Sequence, residues 1–191
     1  MNTTLISGMG LLAMLSGAPA IADATVMDEQ QLTETARQKA MALGSELKST
    51  LMAAVKKDGL AAGIEVCQQA AGPIADALSD EHWQVARTSL KLRNPDNQSS
   101  AWAKQTLEDF AASLKTEPGL VPERSYMDEE NHTFTYMKAI VTQPLCTNCH
   151  GNNIAPEVQV TLKRLYPDDQ ATGYNAGDLR GAFIVTYQAG Q

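Results

Sequence analysis

Apolar residues fall three and four apart from Leu32 through Ala36, Ala40, Leu43, Leu47, Leu51 and Ala54, which draws one stripe along a helix. Thr33 or Asp28 is placed to cap it and Gly59 to stop it. The same spacing resumes in Leu60, Ile64, Cys67, Ala71, Ile74 and Leu78 and predicts a second helix, kinked or split at Pro73. Trp83 to Leu90 alternates as a strand does, and Arg93-Asn94-Pro95-Asp96-Asn97 reads as a loop. Ser99 or Ser100 can cap a third helix through Trp102, Thr106, Phe110 and Leu114, ended by Glu117-Pro118-Gly119. Residues 125–142 read as a hairpin turning at Asp128-Glu129-Glu130-Asn131. A short helix from Pro156 to Leu165, a glycine-containing loop from Pro167 to Asp178 and a strand from Gly181 to Tyr187 complete the pattern. Helices first and strands later, without βαβ alternation, indicate an α+β fold with an antiparallel sheet and N-terminal helices.

The 191 residues, 43% of them hydrophobic, suit a single domain with a substantial core. A formal charge of -7 opposes nucleic acid or an anionic membrane surface as a partner and suits a basic redox protein or a small molecule. The first 20 residues carry no charged side chain. They hold an apolar stretch from Leu5 to Leu15, then Ala18-Pro19-Ala20 and Ala22-Asp23-Ala24, small-residue patterns typical of cleavage sites. Ser7, Gly8, Gly10, Ser16, Gly17 and Pro19 interrupt the stretch, so it is read as a secretory signal peptide over residues 1–24 rather than a membrane span. The mature domain is then 25–191, in the periplasm.

Cys146-Thr147-Asn148-Cys149-His150 carries the most specific chemistry, the attachment signature of c-type haem. Two thiols one helical turn apart can add to the two vinyl groups on one edge of a haem, and the next residue sets an imidazole beneath the iron. Gly151 lets the backbone turn away from the porphyrin. A disulfide, a zinc half-site or a thioredoxin-like pair also uses two spaced cysteines. Structural zinc needs four ligands, whereas only His82 and His132 remain outside the motif as histidines and neither forms a second paired cluster. Covalent haem agrees with export, because bacteria attach c-type haem outside the cytoplasm.

Cys67 is left as an odd thiol on a helix face. From the pattern alone it is either a small buried hydrophobe or the sixth ligand of the iron, opposite His150. Met127, Met137, His132 and His82 compete for that position, with Met137 the best of them because its strand runs into the haem motif. Arg87, Lys91, Arg93 and Arg180 are candidate contacts for the haem propionates, Arg87 and Arg93 foremost, against the alternative of surface ion pairs. Asp168 and Asp169 read as turn-capping residues, with no partner base or metal pattern beside them.

Four separated stretches carry a family resemblance. They are Val66-Cys67; Arg87 through Asn97; the haem motif through Gly151; and Tyr166-Pro167-Asp168 with Gly173-Tyr174 and Gly177-Asp178-Leu179-Arg180-Gly181. In these the chain resembles the Tll0287-like, DUF3365 family of monohaem c-type proteins. The resemblance implies a PAS-like α+β domain with one covalent haem c and Cys/His axial ligation, the cysteine falling on Cys67 and the histidine on His150. Gln68-Gln69 departs from the smaller residues expected after that cysteine.

A thiolate ligand stabilises Fe(III) over Fe(II) and gives a low reduction potential. With both axial positions filled, no site remains for a substrate, so no catalytic residues are assigned. On reduction Cys67 can protonate and leave, opening a position for CO or NO. The expected function is therefore a redox or diatomic-gas sensor that signals through a protein partner. A soluble low-potential electron carrier is the alternative, and a haem enzyme reducing a small molecule the weaker one.

Overall fold

The structure, a computed structural model, describes residues 27–189. The predicted signal peptide over 1–24 lies outside the described residues. Helix α1 runs Glu29–Leu78, with Asp28 and Gln31 forming a reciprocal capping box at its start. Gly59 breaks it with φ 86° and ψ -178°, a conformation that suits glycine. The break is sharp enough to fold the helix back on itself. Lys39 Nζ donates to Leu78 O at 2.8 Å, and Gly63 lies so close to Leu51 and Val55 that any larger residue there would collide with them. The first arm, 29–58, and the second arm, 60–78, are thus an antiparallel helical hairpin, as the two predicted helices and the glycine stop required. The second arm continues through Pro73.

Strand β1 (Trp83–Thr88) follows, then a 3-10 turn at Pro95–Asn97, helix α2 (Ala101–Thr116) capped by Ser100, and the hairpin of β2 (Glu123–Asp128) and β3 (Thr133–Val141). Helix α3 (Thr147–His150), helix α4 (Pro156–Leu165) and strand β4 (Leu179–Gln188) end the fold. The four strands form one antiparallel sheet in the order β1-β4-β3-β2, so the first strand lies against the last. The α+β class is as the pattern predicted.

Period-2 alternation divides the core between two faces. Phe134 and Tyr136 of β3, Val185 of β4 and Trp83 and Val85 of β1 pack under Leu32, Ala36, Ala40 and Leu43 of α1. Met137, Ala139 and Ala182 face the other way, onto Ala103, Leu107 and Phe110 of α2. A third cluster joins Ile64 of the second arm to Ile154, Val158 and Leu162 around α4. Among the described residues no helix is long and apolar enough to cross a membrane.

Two boundaries differ from expectation for local reasons. Strand β1 stops at Thr88 rather than Leu90, because Ser89 Oγ turns to the carbonyls of Lys91 and Arg180 at 2.9 and 2.8 Å. Strand β2 starts at Glu123 rather than Ser125, where the Glu123 carboxylate accepts from Tyr136 Oη and Lys138 Nζ of β3 at 2.7 and 2.9 Å.

Candidate functional site

Pro144–Cys146 forms a 3-10 turn that passes directly into α3, with Cys146 and Thr147 in helical conformation. Pro144 opens the turn at a position where a missing N–H costs nothing, and Thr147 Oγ1 donates back to its carbonyl at 2.7 Å. Cys146 and Cys149 therefore stand one turn apart, both half-buried and free. Gly151 ends the turn, its N–H donating to Thr147 O at 2.8 Å. A Cβ there would meet that same oxygen at 2.5 Å, so the position needs glycine for a close backbone approach.

The loop before β4 fixes the imidazole. Tyr174 N–H donates to His150 O at 2.9 Å and Gly173 N–H to Gly151 O at 3.0 Å, which lays this loop along the end of α3. Ala171 O then accepts from His150 Nδ1 at 2.7 Å. That bond puts the ring proton on Nδ1 and leaves the Nε2 lone pair free. Burial first, then the charges of Arg180, Arg93 and Arg87, push His150 from its ordinary value down to about 2, so the ring is neutral at any physiological pH.

The arginines are positioned by two separate devices. Arg93 Nε and Nη2 reach Asp169 Oδ2 at 3.1 and 2.9 Å, and Nη2 also donates to Cys149 O at 2.7 Å. Asp169 in turn accepts from Ala171 N–H at 2.8 Å, so one carboxylate ties Arg93 to the loop that holds His150. Arg180 is the extra residue of a bulge, since Ile140 pairs with Gly181 and Val141 with Leu179. Bulges re-aim side chains, and this one directs Arg180 to Ser89 Oγ at 3.0 Å and to His150 at 3.2 Å. Gly181 permits it by letting the backbone pass against Thr88 O without a side chain. Arg93 Nη1 and Arg180 Nε lie 3.4 and 3.5 Å from His150 Nε2. Lys91 sits over the Tyr174 ring at 4.7 Å, where it donates to Thr172 O.

Cys67 lies on the second arm of α1, one turn beyond Ile64. Cys149 and Tyr166 pack against the Ile64 cluster, so the arm brings Cys67 to the motif although they are far apart in sequence. Burial raises the Cys67 thiol, while the charges of Arg87 and Arg93 oppose the rise. Burial likewise raises Cys149. Gln68 and Gln69 point outward and leave the arm's packing undisturbed, with Gln68 Nε2 donating to Leu165 O at 3.4 Å.

The rival ligands fall elsewhere. Met137 is fully buried on the α2 face of the sheet, opposite to α1. Met127 packs into the α1 core, His82 stacks near Tyr187 at the start of β1, and His132 occupies the β2–β3 turn with φ 50°. Sequence reasoning missed Asp169 as an ion-pair partner and Tyr166 and Tyr174 as walls of the site. Their signal lay in the stretches carrying the resemblance, Tyr166-Pro167-Asp168 and Gly173-Tyr174, without a chemical motif to state the role.

The set comprises a neutral imidazole with an open lone pair, two thiols a turn apart, a third thiol on a facing helix, and three arginines paired with one carboxylate. It fits a metal-bearing group that itself carries carboxylates. The sequence profile of the Tll0287-like family matches residues 29–187. The chain belongs to the Tll0287-like family. Among solved structures, this Tll0287-like chain is similar to the cyanobacterial haem protein Tll0287, at 25% identity and a TM-score of 0.57 over 86% of this chain and 99% of that one. No curated protein matches it.

Proposed function

We propose that this chain carries one covalent haem c and acts in the periplasm as a redox or diatomic-gas sensor. The observation that carries the reading is His150, whose Nδ1–H is spent on Ala171 O so that Nε2 is kept unprotonated beside Cys146 and Cys149. Membership of the Tll0287-like family and the similarity to a haem protein support it. Cys146 and Cys149 hold the group through thioether bonds, His150 is one axial ligand and Cys67 the other. When bound, haem iron supplies a one-electron couple and, once reduced and open, an affinity for CO or NO.

Arg93 and Arg180 face the same Nε2 that takes the iron, so both guanidiniums turn aside on loading, and the two propionates draw them. Arg87 is the remaining cation near the site. Cys67, bound as thiolate, favours the oxidised state, and its protonation and release on reduction make the two-state element.

Placement of Cys67 favours a sensor over a carrier. His150 sits on a loop-anchored turn, whereas Cys67 sits on a helical arm hinged at Gly59, so any change in its bond is transmitted along that arm. The signal then passes to a protein partner. The carrier reading draws on Leu145, 45% exposed beside Cys146, which offers an apolar approach to the motif. The proposed role is not enzymatic, since side chains take both axial positions.

The decisive experiment expresses the chain in cells equipped for cytochrome c biogenesis and records mass, absorption and EPR spectra, with and without Cys67→Ala. A mass increased by one haem, a ferric thiolate spectrum lost in Cys67→Ala, and a ferrous form that takes up CO are expected. An unchanged six-coordinate ferrous form that excludes CO would establish the carrier instead, and apoprotein mass would overturn the haem reading itself.

A further inference from the structure

Arg87 is a half-buried cation with no hydrogen bond or ion pair to its side chain among the described residues. Its neighbours in the site are the opposite case: Arg93 is anchored by Asp169 and Cys149 O, and Arg180 by Ser89 Oγ and the face of Tyr174. A guanidinium withdrawn from water without an anion is costly, and the cost points to a partner that arrives with the cofactor.

Strand register decides where Arg87 points. Trp83, Val85 and Arg87 share one face of β1, and the first two of them pack under α1. Helix α1 covers this strand, and its second arm carries Cys67. Within that layer the groups that feel Arg87 are Cys67 and Tyr166, with His150 further along the site. Tyr166 is no anion, because burial pushes its phenol upward, and Asp169 is already taken by Arg93. The anion left on this face of the strand is the thiolate of Cys67.

We propose that Arg87 is the counter-ion of Cys67, a positioning residue whose guanidinium donates to the thiolate sulfur and holds it as a ligand. This rests on the reading of Cys67 as sixth ligand, and it moves Arg87 from the propionates to the sulfur. A cation at the sulfur withdraws electron density from it and stabilises the reduced, more negative site, so Arg87 raises a potential that the thiolate lowers.

The test is a double-mutant cycle on the haem-loaded protein, comparing Arg87→Leu, Arg87→Lys, Cys67→Ala and the combination Arg87→Leu with Cys67→Ala. Arg87→Leu is expected to shift the ferric sulfur-to-iron absorption band and the EPR g values and to lower the reduction potential, with Arg87→Lys restoring most of the change. In the Cys67→Ala background the effect of Arg87→Leu on potential is expected to shrink several-fold. An equal effect in both backgrounds overturns the proposal, because the guanidinium then serves the haem carboxylates. A ferric spectrum and potential unmoved by Arg87→Leu overturn it as well. Should Cys67→Ala itself leave the ferric EPR spectrum as it was, the ligand assignment fails and the inference with it. If Arg87→Leu does not accumulate as folded protein, Arg87→Gln, which keeps a donor and removes the charge, is read in the same cycle.

Discussion

Ala171 O accepts a 2.7 Å hydrogen bond from His150 Nδ1, and the residue two before it, Asp169, caps the Ala171 N–H while pairing with Arg93. The imidazole is thus oriented by a backbone oxygen whose own position depends on one carboxylate. The Arg93 and Asp169 side chains are only 12% and 8% exposed, so removing one leaves the other buried and unpaired. Asp169→Ala is expected to cost about 3 kcal/mol in urea unfolding and to reduce haem incorporation. Asp168→Ala, at an exposed position, should stay within about 0.5 kcal/mol of the parent.

Gly151 admits no side chain, because a Cβ would overlap Thr147 O across the hydrogen bond that closes the motif. Gly151→Ala is expected to open that turn, costing about 1–3 kcal/mol and lowering the fraction of protein with covalent haem, read by mass spectrometry.

Met137 faces α2 with no exposed surface, so it serves packing alone. Met137→Ala should destabilise the fold by about 2–5 kcal/mol yet leave the ferric and ferrous spectra as in the parent. A spectrum altered in Met137→Leu, which preserves the volume, would restore methionine as a candidate ligand.

Glu123 links the first arm of α1 to the sheet through Arg37, Lys138 and Tyr136. The Arg37 bond, with help from Lys138 and Tyr136, holds its carboxyl at about 2 against an ordinary 4.5. A depressed carboxyl stabilises the fold above its unfolded value, and that contribution disappears as pH falls from about 4.5 to about 2. With the side chain 31% exposed, solvent screening limits it to about 1–2 kcal/mol. Urea midpoints measured from pH 5 to pH 2.5 should fall less steeply in Glu123→Gln than in the parent.

Much of this protein was legible from spacing. The stripe from Leu32 to Ala54, the stop at Gly59, the Ser100 cap and the Pro156–Leu165 helix all appear as predicted, because each rests on local periodicity or on a backbone preference of one residue. The motif Cys146 to His150 was equally plain, since its groups lie within a single turn and need no distant partner to be aligned. What spacing could not rank was the set of distant partners: Cys67 against four rivals, and Arg87 and Arg93 among several cations.

Those choices depend on which residues meet after the chain folds back at Gly59 and bulges at Arg180. The hinge brings the Cys67 arm onto α4 and β1, while strand alternation turns Met137 to the opposite face. A one-residue bulge carries Arg180 to His150, and the Asp169 loop returns across the sequence to fix the ring proton. Sequence determined the helices, the strands and the chemistry of the haem motif because these are short-range properties. Tertiary structure alone decided the groups surrounding His150, because direction of approach, burial and charge pairing arise only when separate segments pack together.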